Sequence, residues 1–191
     1  AYIVRGEGIL LEFEGERLRE WENREKVVSR LKRLNRFHEE ACAARGSNYD
    51  EISPRFLLLH TISHLLINQL IYDCGYGAAS LQERLYVSAD AKQPMAGVLI
   101  YTAAGDVDGT LGGLVRLGKP GYLEHVINRA LERSQWCSND PICMEIGSRS
   151  GQGSGACNLA ACHSCALLPE TSCEKFNRFL DRAVVIGDPT D

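Results

Sequence analysis

The sequence predicts a helix-rich α/β or α+β domain with a small sheet and a cysteine-rich end. Three observations carry that reading. Apolar residues recur at helical spacing over long stretches, strand-like alternation is confined to short runs, and six of the eight cysteines fall between residues 137 and 173. A chain of 191 residues is long enough to bury a core of its own. With 45% hydrophobic and 24% charged residues, global disorder is excluded. A net charge of -4 excludes a wholly polybasic nucleic-acid binder but leaves room for a local basic face.

The elements follow in order. Tyr2 to Phe13 alternates in part (Ile9, Leu11, Phe13) and is expected to form a strand. Arg17 to about Ala44 is expected to be one long helix, in which Leu18, Trp21, Val27, Val28, Leu31, Leu34, Phe37 and Ala41 recur at helical spacing. Acidic residues open it and basic residues follow, which suits the helix dipole. The first reading of Arg24, Arg30, Arg33 and Arg36 is a solvated face; the other is a stripe contacting phosphates. Residues 1–53 thus read as an N-terminal strand and charged helix ahead of a main segment, 54–191. Ser53-Pro54 begins a second helix, Ser as cap and Pro in the first turn. Its apolar residues cover nearly every side, the mark of a buried central helix, and Cys74-Gly75 ends it. Ser80 is expected to cap a short turn through Arg84. Leu85 to Val87 and Gly97 to Ala103 read as strands, Gly105 to Gly113 as a glycine-rich loop, Tyr122 to Trp136 as a third helix, and Gly147 to Gly155 as a mobile Gly/Ser-rich loop.

Several catalytic motifs fail on inspection. Gly113-x4-Gly118-Lys119 resembles a phosphate loop, but Pro120 stands where a magnesium-binding hydroxyl is required. Asp106-x-Asp108-Gly109 lacks the distal Glu of a calcium loop. His60 and His64 share a helix face, yet Thr61 replaces the Glu a zinc protease needs, so a buried hydrogen-bonded pair is the favoured reading. His38-Glu39-Glu40 has no deaminase partner motif near it. A nucleic-acid hydrolase would have to be built on Asp106, Asp108 and His125, whose simpler reading is polar groups on a loop and a helix surface. No enzyme is expected.

No signal peptide or membrane span is evident. The most apolar stretch, Phe56 to Ile71, carries His60, His64, Asn68 and Gln69. A cytoplasmic location is expected, and in a reducing compartment clustered cysteines point to metal ligation. The chain opens on Ala1, from which a piece of a longer polypeptide is expected. Cys162-His163-Ser164-Cys165 is a knuckle whose spacing aims two thiolates at one ion, with Cys173 seven residues on and Cys137 or Cys143 closing the set. Four thiolates around a tetrahedral ion describe structural zinc. The set expected is Cys143, Cys162, Cys165 and Cys173, with Cys137 as the first alternate. His163 is a weaker substitute ligand. An iron–sulfur cluster on Cys157, Cys162, Cys165 and Cys173, or a redox Cys-x-x-Cys, is the rival reading.

The segment from Cys157 to Asp188, with Cys162-His163-Ser164-Cys165-Ala166-Leu167-Leu168-Pro169 at its heart, resembles the cysteine-rich end of the C-terminal zinc-binding domain of MrfA-type DNA-repair helicases. The DrmB-like form of that family, known from the DISARM anti-phage defence system, is the nearer match. Leu59 to Leu66, Tyr76 to Tyr86 and Gly109 to Gly113 support the resemblance, which covers Pro54 to the C-terminus. It implies a metal on four cysteines, to which Cys162, Cys165 and Cys173 correspond, while Cys157 departs from the pattern. It further implies a non-catalytic zinc-binding module that supports a helicase partner. DNA contact is expected through Arg24, Arg30, Arg33, Arg36, Arg129 and Arg133, and no membrane partner is expected.

Overall fold

The computed structural model describes residues 6–90, 92–102 and 112–187, leaving aside the side chains of 147–149. Its sheet has three antiparallel strands: β1 (Gly8–Glu12), β2 (Leu81–Ser88) and β3 (Met95–Thr102), in the order β1-β3-β2. The central strand pairs Ile100 with Ile9 on one side and Val98 with Leu85 on the other. Side chains alternate across a strand, so Ile9, Leu81, Val98 and Ile100 share the covered face. Because β1 pairs with β3, the N-terminal strand belongs to the same sheet as the main segment.

The helices are α1 (Gly15–Glu22), α2 (Glu25–Arg45), α3 (Pro54–Cys74), α4 (Gly113–Leu117), α5 (Leu123–Ser134), α6 (Ile142–Arg149) and α7 (Ala183–Ile186). The sheet's inner face rests on α3. Ser53 Oγ accepts from Phe56 N at 3.2 Å to start that helix, and Gly75, left-handed at φ 70°, ends it. Leu57, Leu59, Ile67 and Leu70 are sealed, as is expected of a helix apolar on every side.

Three expectations are corrected. The single helix over 17–44 is two helices: Arg24 is extended (ψ 133°), and Asn23 Nδ2 donates to Arg19 O at 2.7 Å, ending α1. At about 100° per residue Val27 falls opposite Leu18, so the apolar phase shifts across this break, while Val28, in line with Trp21, masks the shift. Ser80 does not cap a turn; Leu81 opens β2, with Leu81 and Glu83 both facing inward. The Gly/Ser-rich stretch is partly helical, since α6 extends to Arg149. The phosphate-loop look-alike forms the short α4. The glycine-rich loop, with Asp106 and Asp108, lies almost wholly outside the described residues.

Residues 150–187 are built differently. They hold one bridge (Gln152 to Asn158), two 3-10 turns and the single-turn α7. Ala156, Phe176, Asn177 and Phe179 take positive φ, a conformation that side chains oppose. Buried polar side chains hold these turns. Asn177 Nδ2 donates to Leu168 O at 2.6 Å and its Oδ1 accepts from Leu168 N at 2.9 Å. Asn158 bonds Asn177 O and Leu180 N in the same way. Asp181 accepts two bonds from Arg30 of α2, at 2.6 and 2.9 Å.

Candidate metal centre

The end of α5 delivers Cys137, and Cys143 N bonds Asn139 O at 2.9 Å as α6 begins. On the other side Cys162 O accepts from the amides of Cys165, Ala166 and Leu167, at 3.0 to 3.2 Å, folding the knuckle into one tight turn. Beneath it lie Leu65, Ala161, Ala166 and Leu180. The Sγ atoms of Cys137, Cys143, Cys162 and Cys165 all lie within 4.8 Å of one another. Cys137 to Cys162 is 3.5 Å, and both Cys143 and Cys162 are 3.8 Å from Cys165. A zinc ion with bonds of about 2.3 Å in a tetrahedron sets its sulfurs about 3.8 Å apart. A disulfide would bring them to about 2.0 Å, and all eight cysteines are free. The residues therefore fit zinc. Sulfurs this close surround one ion and leave no room for a cluster of several irons.

Amide donors complete the shell. Asn139 N reaches Cys137 Sγ and Asn139 Nδ2 reaches Cys162 Sγ, both at 3.4 Å, while Cys162 N reaches Cys165 Sγ at 3.3 Å. Such bonds disperse negative charge on thiolates. Four thiolates around a dication leave net negative charge, and Arg182, fully buried, stands beside them. It bonds Ser134 O at 2.8 Å and Asp140, whose other oxygen accepts from Cys137 N at 2.9 Å. The thiols share charge unequally. A hydrogen bond from Cys165 brings Cys143 down to about 5, and the same bond together with burial pushes Cys165 up. Burial raises Cys137 to about 11. Thiols that ligate zinc give up their protons when the ion binds.

The structure brings together three of the four expected ligands and substitutes the alternate, Cys137, for Cys173. Cys173 is drawn away by the turn at Glu170–Ser172, and its Sγ lies 3.2 Å from His60 Nε2 in a separate group with His64 and Glu83. Cys157 bonds Gly155 O at 3.2 Å and joins neither group, which removes the iron–sulfur spacing; His163 is exposed and outside both. Arg30 is corrected as well. It is buried, and its guanidinium is taken up by Asp181, so it does not face DNA. Arg24, Arg36 and Arg133 are exposed, and Arg33 and Arg129 half-buried. Arg129 bonds Asp73 at 2.8 Å, and Arg133 stacks over Tyr72 at 4.7 Å. Sequence reading missed Asp140 and Arg182; the run Ser138-Asn139-Asp140-Pro141 between two cysteines was the available signal.

Fold and site define a zinc-binding domain with a closed, thiolate-lined centre. The profile of a family described as the MrfA Zn-binding domain matches residues 62–166, just over half of the chain. The chain belongs to that family. It is also 36% identical over 188 residues, 97% of its length, to the DISARM protein DrmB of Bacillus paralicheniformis. It spans 32% of that relative's length. Among the described residues, no helix is long and apolar enough to cross a membrane.

Proposed function

We propose that this chain is a non-catalytic accessory domain of a DNA-processing defence assembly, in which zinc on Cys137, Cys143, Cys162 and Cys165 staples the irregular C-terminal segment to the helical body. The carrying observation is the convergence of these four thiols at tetrahedral spacing inside the family-matched segment, which ends one residue past Cys165. All four positions are protein side chains, so no site is left for water or substrate, the arrangement of structural zinc. Outside the thiol centre, the other group of ligand-type side chains among the described residues is sealed from solvent, which supports the non-catalytic reading. The similarity to the DISARM protein DrmB supports a role in a multi-component defence system, and the partner and location proposed there are a helicase subunit and the cytoplasm. Arg24, Arg36 and Arg133 offer exposed charge for DNA phosphates.

Co-purification with the helicase subunit, with and without DNA, tests the partnership. Retention without DNA supports direct docking; loss of retention under both conditions refutes it. For DNA, each phosphate contact removed should flatten the log affinity against log salt slope by about 0.9. Unchanged slopes in the Arg24→Ala, Arg36→Ala and Arg133→Ala variants would refute phosphate contact by these residues.

A further inference from the structure

A second set of ligand-type side chains meets inside the fold, with His60 and His64 one turn apart on α3, Glu83 on β2 and Cys173 from the C-terminal segment. All four are buried, and their ligand atoms lie within 4.8 Å of one another. The outer nitrogen of each ring is already used. His60 Nδ1 is 3.2 Å from Phe179 O, and His64 Nδ1 is 2.8 Å from Ala166 O. A carbonyl oxygen only accepts, so both Nδ1 atoms carry protons, and in the neutral form of each ring the Nε2 lone pair turns inward. The buried, hydrogen-bonded pair expected from sequence is found, bonded through both Nδ1 atoms and, for His60, through Nε2 to Cys173 as well.

The inner atoms crowd one point. His60 Nε2 lies 3.1 Å from Glu83 Oε1 and 3.2 Å from Cys173 Sγ. His64 Nε2 lies 3.5 Å from the same carboxylate oxygen and has no hydrogen-bond partner, although the residue is fully buried. The supporting donors come from outside the group. Ser63 Oγ and Glu174 N donate to Glu83, and the amides of Lys175 and Asn177 donate to Cys173 Sγ at 3.3 and 3.2 Å. With the rings neutral, two ring nitrogens, a carboxylate oxygen and a sulfur face each other with lone pairs. The single thiol proton can serve one of these contacts and leaves the others repulsive. One divalent cation serves all four.

We propose that His60, His64, Glu83 and Cys173 hold a second structural zinc ion, so that the domain carries two. Zinc with two nitrogens, an oxygen and a sulfur in a tetrahedron sets neighbouring ligands about 3.3 to 3.6 Å apart, close to the separations found. The mixed set of imidazole, carboxylate and thiolate is zinc chemistry, and the Nδ1 protons bonded to backbone carbonyls are the outer shell that orients ligating histidines. Charge agrees too. One carboxylate and one thiolate neutralise one dication, as a fully buried site requires. The ion joins α3, β2 and the C-terminal segment, and with four protein ligands it is structural. The proposal does not depend on the four-cysteine assignment.

Zinc per chain is measured on the purified full-length protein, wild type against Cys162→Ser, His64→Ala, Glu83→Gln and Cys173→Ser. The expected result is a loss of one equivalent in each, and of two in the Cys162→Ser/His64→Ala double variant. Full zinc content in His64→Ala and Cys173→Ser, with one equivalent lost in Cys162→Ser, overturns the second site. The reverse pattern overturns the four-cysteine assignment and leaves the second site standing. Should a variant fail to fold, zinc X-ray absorption on the wild type decides. A first shell mixing sulfur with nitrogen and oxygen supports the proposal, and a shell of sulfur alone overturns it.

Discussion

The body of the domain, up to α5, and its C-terminal end, residues 137–187, are held together by different means. In the body, α3 and the inner face of the sheet bury Leu57, Leu59, Ile67, Leu70, Val98 and Ile100, and the backbone is satisfied within regular elements. The end has short turns, four non-glycine residues at positive φ, and buried polar side chains (Asn158, Asn177, Asp181, Arg182) doing for the backbone what a helix or strand would otherwise do. Apolar burial suffices where elements are long. Where they are short, directed contacts must substitute, and the four thiols stand where two such turns meet.

That contrast can be broken in graded ways. Removing zinc with a chelator should have the largest effect, since structural zinc contributes on the order of 10 kcal/mol in small domains. Hydrogen exchange should rise over residues 137–187 well before α5 and the sheet are affected. Asp181→Ala comes next. It removes the Asp181 carboxylate that the buried Arg30 binds, and a loss of about 3–5 kcal/mol is expected in urea unfolding. Leu59→Ala strikes the apolar core, where a sealed leucine costs about 2–5 kcal/mol on truncation while zinc content stays unchanged. Ser53→Ala removes the cap of α3 and should cost about 1 kcal/mol. A larger loss from Ser53→Ala than from Asp181→Ala would contradict the division between body and end.

The same contrast governs what the sequence discloses. α3 is legible at both ends and on every side, because Ser53, Pro54 and Gly75 act locally and burial follows from the apolar run. The break at Asn23-Arg24 is legible only as a shift of apolar phase, with Val27 opposite Leu18 at about 100° per residue, and Val28, in line with Trp21, hides it. Cys162 and Cys165 are legible as a pair because two residues between them dictate a turn. The remaining ligand position is not, because Cys137 and Cys173 are both within chain reach and only the path after Leu168 separates them. Glu83 carries no signal at all, occupying an inward strand position where alternation suggests an apolar residue. Its reason for being there lies on α3 and in the C-terminal segment, far away in sequence.

The central claim is that zinc on Cys137, Cys143, Cys162 and Cys165 fastens the C-terminal end to the body. The most direct measurement is residue-level hydrogen exchange of Cys162→Ser beside the wild type, with zinc counted in both. The account predicts one zinc equivalent lost and protection lost at the amides of Cys165, Ala166 and Leu167, with α3 still protected. Full zinc content with those three amides as protected as in the wild type would contradict it.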